Sequence, residues 1–227
     1  LDFSATLDDV LAEAVIVKEY NTQLSTDKQV MKTVLNDMIA ASPTTKHGLI
    51  LGSHASSWLN SIFTSRAFGQ DGSGTDNTML IPDMVEALSG VGKPFEFLLF
   101  DACYMGTAEV CHAFRNVANY QIVSAMEVPA VGFPYEDFTV EKEDLNRYED
   151  LKDLYKGTTA GYKQVCQTYI NYYQDLYQSG DYAWGTVALV DSKEMQNMTN
   201  ALKQEIVEHK DILADYNTNH LEEFGKN

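Results

Sequence analysis

Short apolar runs alternate along this chain with longer stretches of helical periodicity. Residues 15–20 (VIVKEY), 48–53 (GLILGS), 95–100 (FEFLLF), 121–125 and 186–190 (TVALV) read as strands. Residues 26–41 carry Val30, Val34, Leu35 and Met38 at helical spacing, with Ser25 or Thr26 as N-cap and a stop near Pro43. Helices are also predicted over 82–91, 106–117, the tyrosine-rich 151–177 and 192–215. Residues 63–78 (FTSRAFGQDGSGTDNT) are glycine-rich and polar, the mark of a long exposed loop. Residues 128–137 hold Pro129, Gly132 and Pro134 and read as a second loop.

Strands alternating with helices imply an α/β fold with a mostly parallel sheet covered on both faces. The 227 residues, 44% of them hydrophobic, can fill one core, and residues 1–227 are expected to form a single domain. Charge narrows the function. Asp and Glu number 33 against 16 Lys and Arg, a net charge of −17 that repels phosphate backbones and anionic membrane surfaces. Nucleic acid and membrane are therefore not expected partners. No apolar run approaches the roughly 20 residues that span a bilayer. Three cysteines do not make a disulfide framework, and the chain has neither CxxC nor HExxH. No metal or other cofactor is expected. Asp71, Asp76 and Asp83 flank the glycine-rich loop without Ca²⁺-loop spacing and read as turn residues.

In open parallel sheets, reactive groups lie just beyond the carboxyl ends of strands. Two ends qualify: His54 follows GLILGS, and Cys103 follows FEFLLFDA. A lone cysteine there is usually a small core hydrophobe, and a lone histidine usually a surface residue. Their joint placement changes the balance. A thiol becomes a nucleophile when an imidazole can take its proton, and a helix starting near Gly106 would aim its N-terminus at Cys103. His54 precedes Cys103 by 49 residues, close to the separation of about 50 found in caspases. Cys111 and Cys166 fall inside predicted helices and read as structural.

Residues 48–58 (GLILGSHASSW) and 97–106 (FLLFDACYMG) resemble the two signatures of the clostripain family of cysteine peptidases. The likeness continues through 65–71 (SRAFGQD), 79–88 (MLIPDMVEAL), 122–135 (IVSAMEVPAVGFPY) and 185–191 (GTVALVD), and covers roughly residues 15–210. The resemblance implies a caspase-like three-layer α/β/α sandwich and cleavage of peptides or proteins after Arg or Lys. Cys103 and His54 would be the dyad, and the N–H groups of Cys103 and Ala55 the oxyanion hole. Asp101, two residues before Cys103 and so on the same face of a strand, matches an acidic family position that receives the basic substrate side chain. The alternative is an Asp101 that merely caps the following helix.

The family usually has glycine where Ala55 stands, and another strand-and-helix unit before residues 15–20. Arg66 is the basic residue of the glycine-rich loop, and the resemblance implies self-cleavage there; the alternative is an ordinary surface arginine. The resemblance also implies export by a bacterium, with a leader expected upstream of Leu1. Two other readings remain open: an inactive caspase-like domain that only binds peptides, and a Cys103-dependent amidase or esterase.

Overall fold

The computed structural model describes residues 15–21, 23–42, 44–57, 67–71, 77–134, 157–180 and 185–214. In chain order the elements are α1 (Lys28–Ala41), β1 (Gly48–Gly52), β2 (Ala67–Phe68), β3 (Met79–Leu80), α2 (Ile81–Ser89), β4 (Phe95–Asp101), α3 (Ala108–Ala113), β5 (Ala118–Val123), α4 (Thr159–Ser179), β6 (Ala188–Asp191) and α5 (Met195–Glu208). The main sheet runs β1-β4-β5-β6. β1 and β5 lie parallel to β4 on either side, and β6 pairs antiparallel with β5.

β4 is apolar and buried over residues 97–100 because it is paired on both edges and covered on both faces. Its side chains alternate between two cores. Leu98 and Phe100 meet Leu35 of α1, Met84 and Leu88 of α2, and Val110 and Cys111 of α3. Phe97 and Leu99 meet Tyr162, Val165, Tyr169 and Tyr173 of α4. The result is a three-layer α/β/α sandwich. Each fully buried Leu or Phe of this set contributes roughly 1.5–3 kcal/mol, so β4 is the best-anchored strand. The spacing 162–165–169–173 is one helix face, which explains why α4 is rich in tyrosine: the rings fill the gap to the sheet and stack, with Phe133 and Tyr169 centroids 4.4 Å apart.

Several elements differ from their sequence reading. Residues 15–20 form no strand and are exposed, Val15 at 82%. An apolar run becomes a strand only where a neighbour completes its ladder, and none does so among the described residues. β1 alternates between exposed and half-buried positions instead of being buried, because among the described residues it forms the outer edge of the sheet. α1 starts later than expected, capped by Asp27, whose carboxylate accepts from the N–H groups of Gln29 and Val30. Its inward face is Met31, Leu35 and Ile39, while Met38 points to solvent. α3 has only six residues. Residues 192–215 open with a 3-10 turn (Ser192–Glu194) before α5. The antiparallel direction of β6 was not encoded by its apolar run.

Candidate active site

Register sets the site. Gly52 is the Cα partner of Asp101 in the parallel β1–β4 pair, and Ser53 N–H donates to the Asp101 carbonyl at 3.2 Å. His54 and Cys103 each stand two residues beyond that last pair, so they leave the sheet side by side at its carboxyl edge. His54 is exposed and Cys103 half-buried. No hydrogen bond joins the two side chains among the described residues.

The backbone on the histidine side is held by a two-strand ribbon, whose first strand sequence reasoning placed inside a loop. β2 and β3 pair antiparallel, Ala55 bridges Phe68, and Gly69 N–H donates to the His54 carbonyl at 2.8 Å. This is the wide type of antiparallel pairing, in which the bonds run from the flanking residues and leave the N–H of Ala55 itself unused by the bridge. Farther on, Ser57 adopts a left-handed φ of 63° and is buried, its hydroxyl 3.0 Å from that of Thr107. Thr107 is the N-cap residue of α3, so this contact ties the histidine loop to the cysteine turn.

The cysteine side is built differently from the expected strand-to-helix step. A turn over 103–106, with Tyr104 at φ 59°, separates Cys103 from α3, which begins at Ala108 rather than near Gly106. The turn is laced to the segment after β5. Tyr104 N–H donates to the Met126 carbonyl at 2.9 Å, and Gly106 N–H to the Ser124 carbonyl at 2.7 Å. Val128 N–H reaches Cys103 Sγ at 3.3 Å. The Tyr104 hydroxyl donates to Glu127 Oε1 at 2.9 Å, and that bond is the main reason its phenol is raised above the ordinary range. The backbone N–H of Cys103 carries no main-chain hydrogen bond among the described residues. Sequence reasoning identified residues 128–137 only as a loop; Pro129 and Gly132 were the signal, but not what the loop would touch.

Asp101 follows Phe97 and Leu99 on the α4 side of β4. Its Oδ2 accepts the Phe133 N–H at 3.2 Å. Gly132, at φ +68°, lies so close that a Cβ there would come within 2.7 Å of Oδ2. Tyr169 is pushed up to about 12, chiefly by burial, with Tyr173 opposing and the nearby Asp101 carboxylate adding to it. Burial likewise pushes the thiols of Cys111 and Cys166 up to about 11, as expected of structural cysteines. Arg66 and Asp76 lie outside the described residues. Asp71 accepts from Ser25 N–H and Asp83 from Lys28 Nζ, so both have structural partners.

The clostripain family model matches residues 6–224. The chain belongs to the clostripain family. Among solved structures, a secreted C11 cysteine protease from Bacteroides thetaiotaomicron in complex with an irreversible peptide inhibitor is 32% identical, with a TM-score of 0.66 over 82% of this chain and 50% of that one. An inactive zymogen C11 protease from Parabacteroides distasonis is 28% identical, with a TM-score of 0.56 over 81% of this chain and 45% of that one. This clostripain-family chain thus spans about half the length of the solved relatives it matches. No curated protein matches it. The match to C11 proteases bears out the α/β class and the mostly parallel sheet.

Proposed function

We propose that the chain carries the chemistry of a cysteine endopeptidase that cuts after Arg or Lys. The reading rests on the β1–β4 register, which gives His54 and Cys103 the same offset beyond Gly52 and Asp101. Cys103 Sγ attacks the scissile carbonyl carbon, and the resulting oxyanion is stabilised by the N–H groups of Cys103 and Ala55. His54 passes the thiol proton to the departing amine, leaving a thioester. It then takes a proton from water, which hydrolyses the thioester and frees the thiol. The Asp101 carboxylate receives the guanidinium or ammonium of the substrate. Two of the solved relatives support parts of this reading: one is bound to a peptide inhibitor and described as secreted, another is a zymogen. The first favours peptide substrates and export from a bacterium; the second favours maturation by cleavage, for which Arg66 is the candidate site. No described helix is long and apolar enough to cross a membrane.

The test is covalent. An acyloxymethyl ketone bearing Arg or Lys should add one inhibitor mass to the intact protein, at Cys103, and a neutral analogue should not. Equal labelling by both probes removes the basic specificity. No labelling at all favours the inactive, peptide-binding alternative, for which Ala55 in place of glycine is the motivating feature.

A further inference from the structure

One peptide plane joins α4 to the candidate specificity acid. The Tyr173 hydroxyl donates to the Gly132 carbonyl at 2.7 Å, and Phe133 N–H donates to Asp101 Oδ2 at 3.2 Å. That carbonyl and that N–H belong to the same amide, and in a trans amide they point in opposite directions. Each bond therefore fixes the orientation of the other. Were the plane to turn over, a carbonyl oxygen would face the Asp101 carboxylate and repel it.

Gly132 makes such a turn sterically possible. Its φ of +68° suits glycine, and the space a side chain would fill is taken by Asp101. Phe133 does not prevent the turn by itself, although its ring is buried against Tyr169. Tyr173 is 3% exposed and its phenol is raised by burial, so it remains a donor at neutral pH. Its ring is held by neighbours, Tyr169 at 4.6 Å and Tyr172 at 5.4 Å between centroids. This is a rigid donor aimed at a peptide whose N–H bonds to Asp101.

We infer that Tyr173 is a specificity-positioning residue: through the 132–133 peptide it aims the Asp101 carboxylate at a basic substrate side chain. The inference rests on the reading of Asp101 given above. In this role Tyr173 touches neither substrate nor Cys103. Its contribution belongs to substrate binding, because an acid that swings between orientations loses the pre-set geometry that a guanidinium requires.

The experiment compares peptides carrying Arg or citrulline, its neutral isostere, at the cleavage position. Tyr173→Phe should lower kcat/KM for the Arg peptide about tenfold, mostly through KM, and leave the citrulline peptide and Cys103 alkylation by iodoacetamide near wild type. Replacing residue 133 by its α-hydroxy analogue deletes the N–H while keeping the ring, and should reproduce the loss. Adding Tyr173→Phe to Asp101→Asn should cost nothing further. An equal loss on both peptides would make Tyr173 merely structural and overturn the inference, as would no loss in either variant. If Asp101→Asn lowers the Arg-to-citrulline ratio and Tyr173→Phe does not, only the positioning role fails. If Asp101→Asn leaves the ratio intact, the reading of Asp101 fails and takes this inference with it.

Discussion

Val128 donates its backbone N–H to Cys103 Sγ across 3.3 Å. The sulfur is thus oriented by the segment after β5, not by the histidine loop. The same segment accepts from Tyr104 N–H and Gly106 N–H, so three consecutive contacts clamp the cysteine turn from one side. His54 approaches from the other strand and is free of that clamp. The division suits a dyad in which the nucleophile is fixed and the acid–base group adjusts to the substrate.

Removing either member of the proposed dyad should end turnover while sparing the fold, since both lie beyond strand ends. Cys103→Ala and His54→Ala are expected to lower kcat/KM on the order of 10⁴-fold or more, with circular dichroism unchanged. A Cys103→Ala enzyme that keeps a tenth of wild-type turnover would assign the nucleophile elsewhere.

Asp101→Asn keeps the shape of the side chain and its bond from Phe133 N–H. It removes the charge proposed to meet the substrate, worth roughly 1.5–3 kcal/mol for a charge-assisted contact. The Arg peptide should therefore lose about 10- to 100-fold in kcat/KM. Steady-state kinetics that show no selective loss would leave Asp101 with a structural role.

Self-processing predicts that purified protein separates into two bands on a denaturing gel, the new N-terminus being Ala67. Cys103→Ala and Arg66→Ala should each stay whole. A Cys103→Ala protein cut at Arg66 with no added protease would exclude self-cleavage.

Gly106 faces main chain, not a pliable side chain: a Cβ there would come within 2.7 Å of Ala125 N and the Ser124 carbonyl carbon. Gly106→Ala should cost about 1–3 kcal/mol, lowering Tm by several degrees. Activity should fall along with it, because the clamp on the cysteine turn must shift. Unchanged Tm and rate would show that the backbone accommodates the methyl.

Alkali should unfold this protein in a defined window. Burial raises Tyr162 and Tyr169 from 10.0 to about 12 and the thiols of Cys111 and Cys166 from 9.0 to about 11. These groups hold their protons more tightly folded than unfolded, so stability is intact below the unfolded values and falls as pH rises through 9–12. Denaturant titrations from pH 7 to 12 should show a falling midpoint above about pH 9. A flat profile would contradict the burial of these groups.

The features most legible in the sequence were those decided by burial. FEFLLF announced the central strand because both its faces and both its edges are covered. Residues 82–91 announced α2 because Pro82 favours a helix start and the apolar spacing follows. The strand ends carrying His54 and Cys103 came from the same logic. Pairing between distant segments was illegible. Ala67–Phe68 lies in a polar stretch, yet forms a strand because Met79–Leu80 and Ala55 lie beside it. Residues 15–20 have strand composition but join no ladder among the described residues. The roles of Val128, Phe133 and Tyr173 depend on the direction of individual peptide groups, which composition does not encode.

The two groups proposed to share the chemistry sit on strands of unequal security. β4 is enclosed, whereas β1 is paired on one edge only among the described residues and exposes three of its five residues. Local opening begins where hydrogen bonds are solvated and apolar contacts few. Fraying of β1 would carry His54 away from Cys103 while β4, β5 and α4 stayed packed. Heat should therefore silence the proposed peptidase activity before the fold melts: inactivation would track loss of amide protection in residues 48–52, at a temperature below the main calorimetric transition.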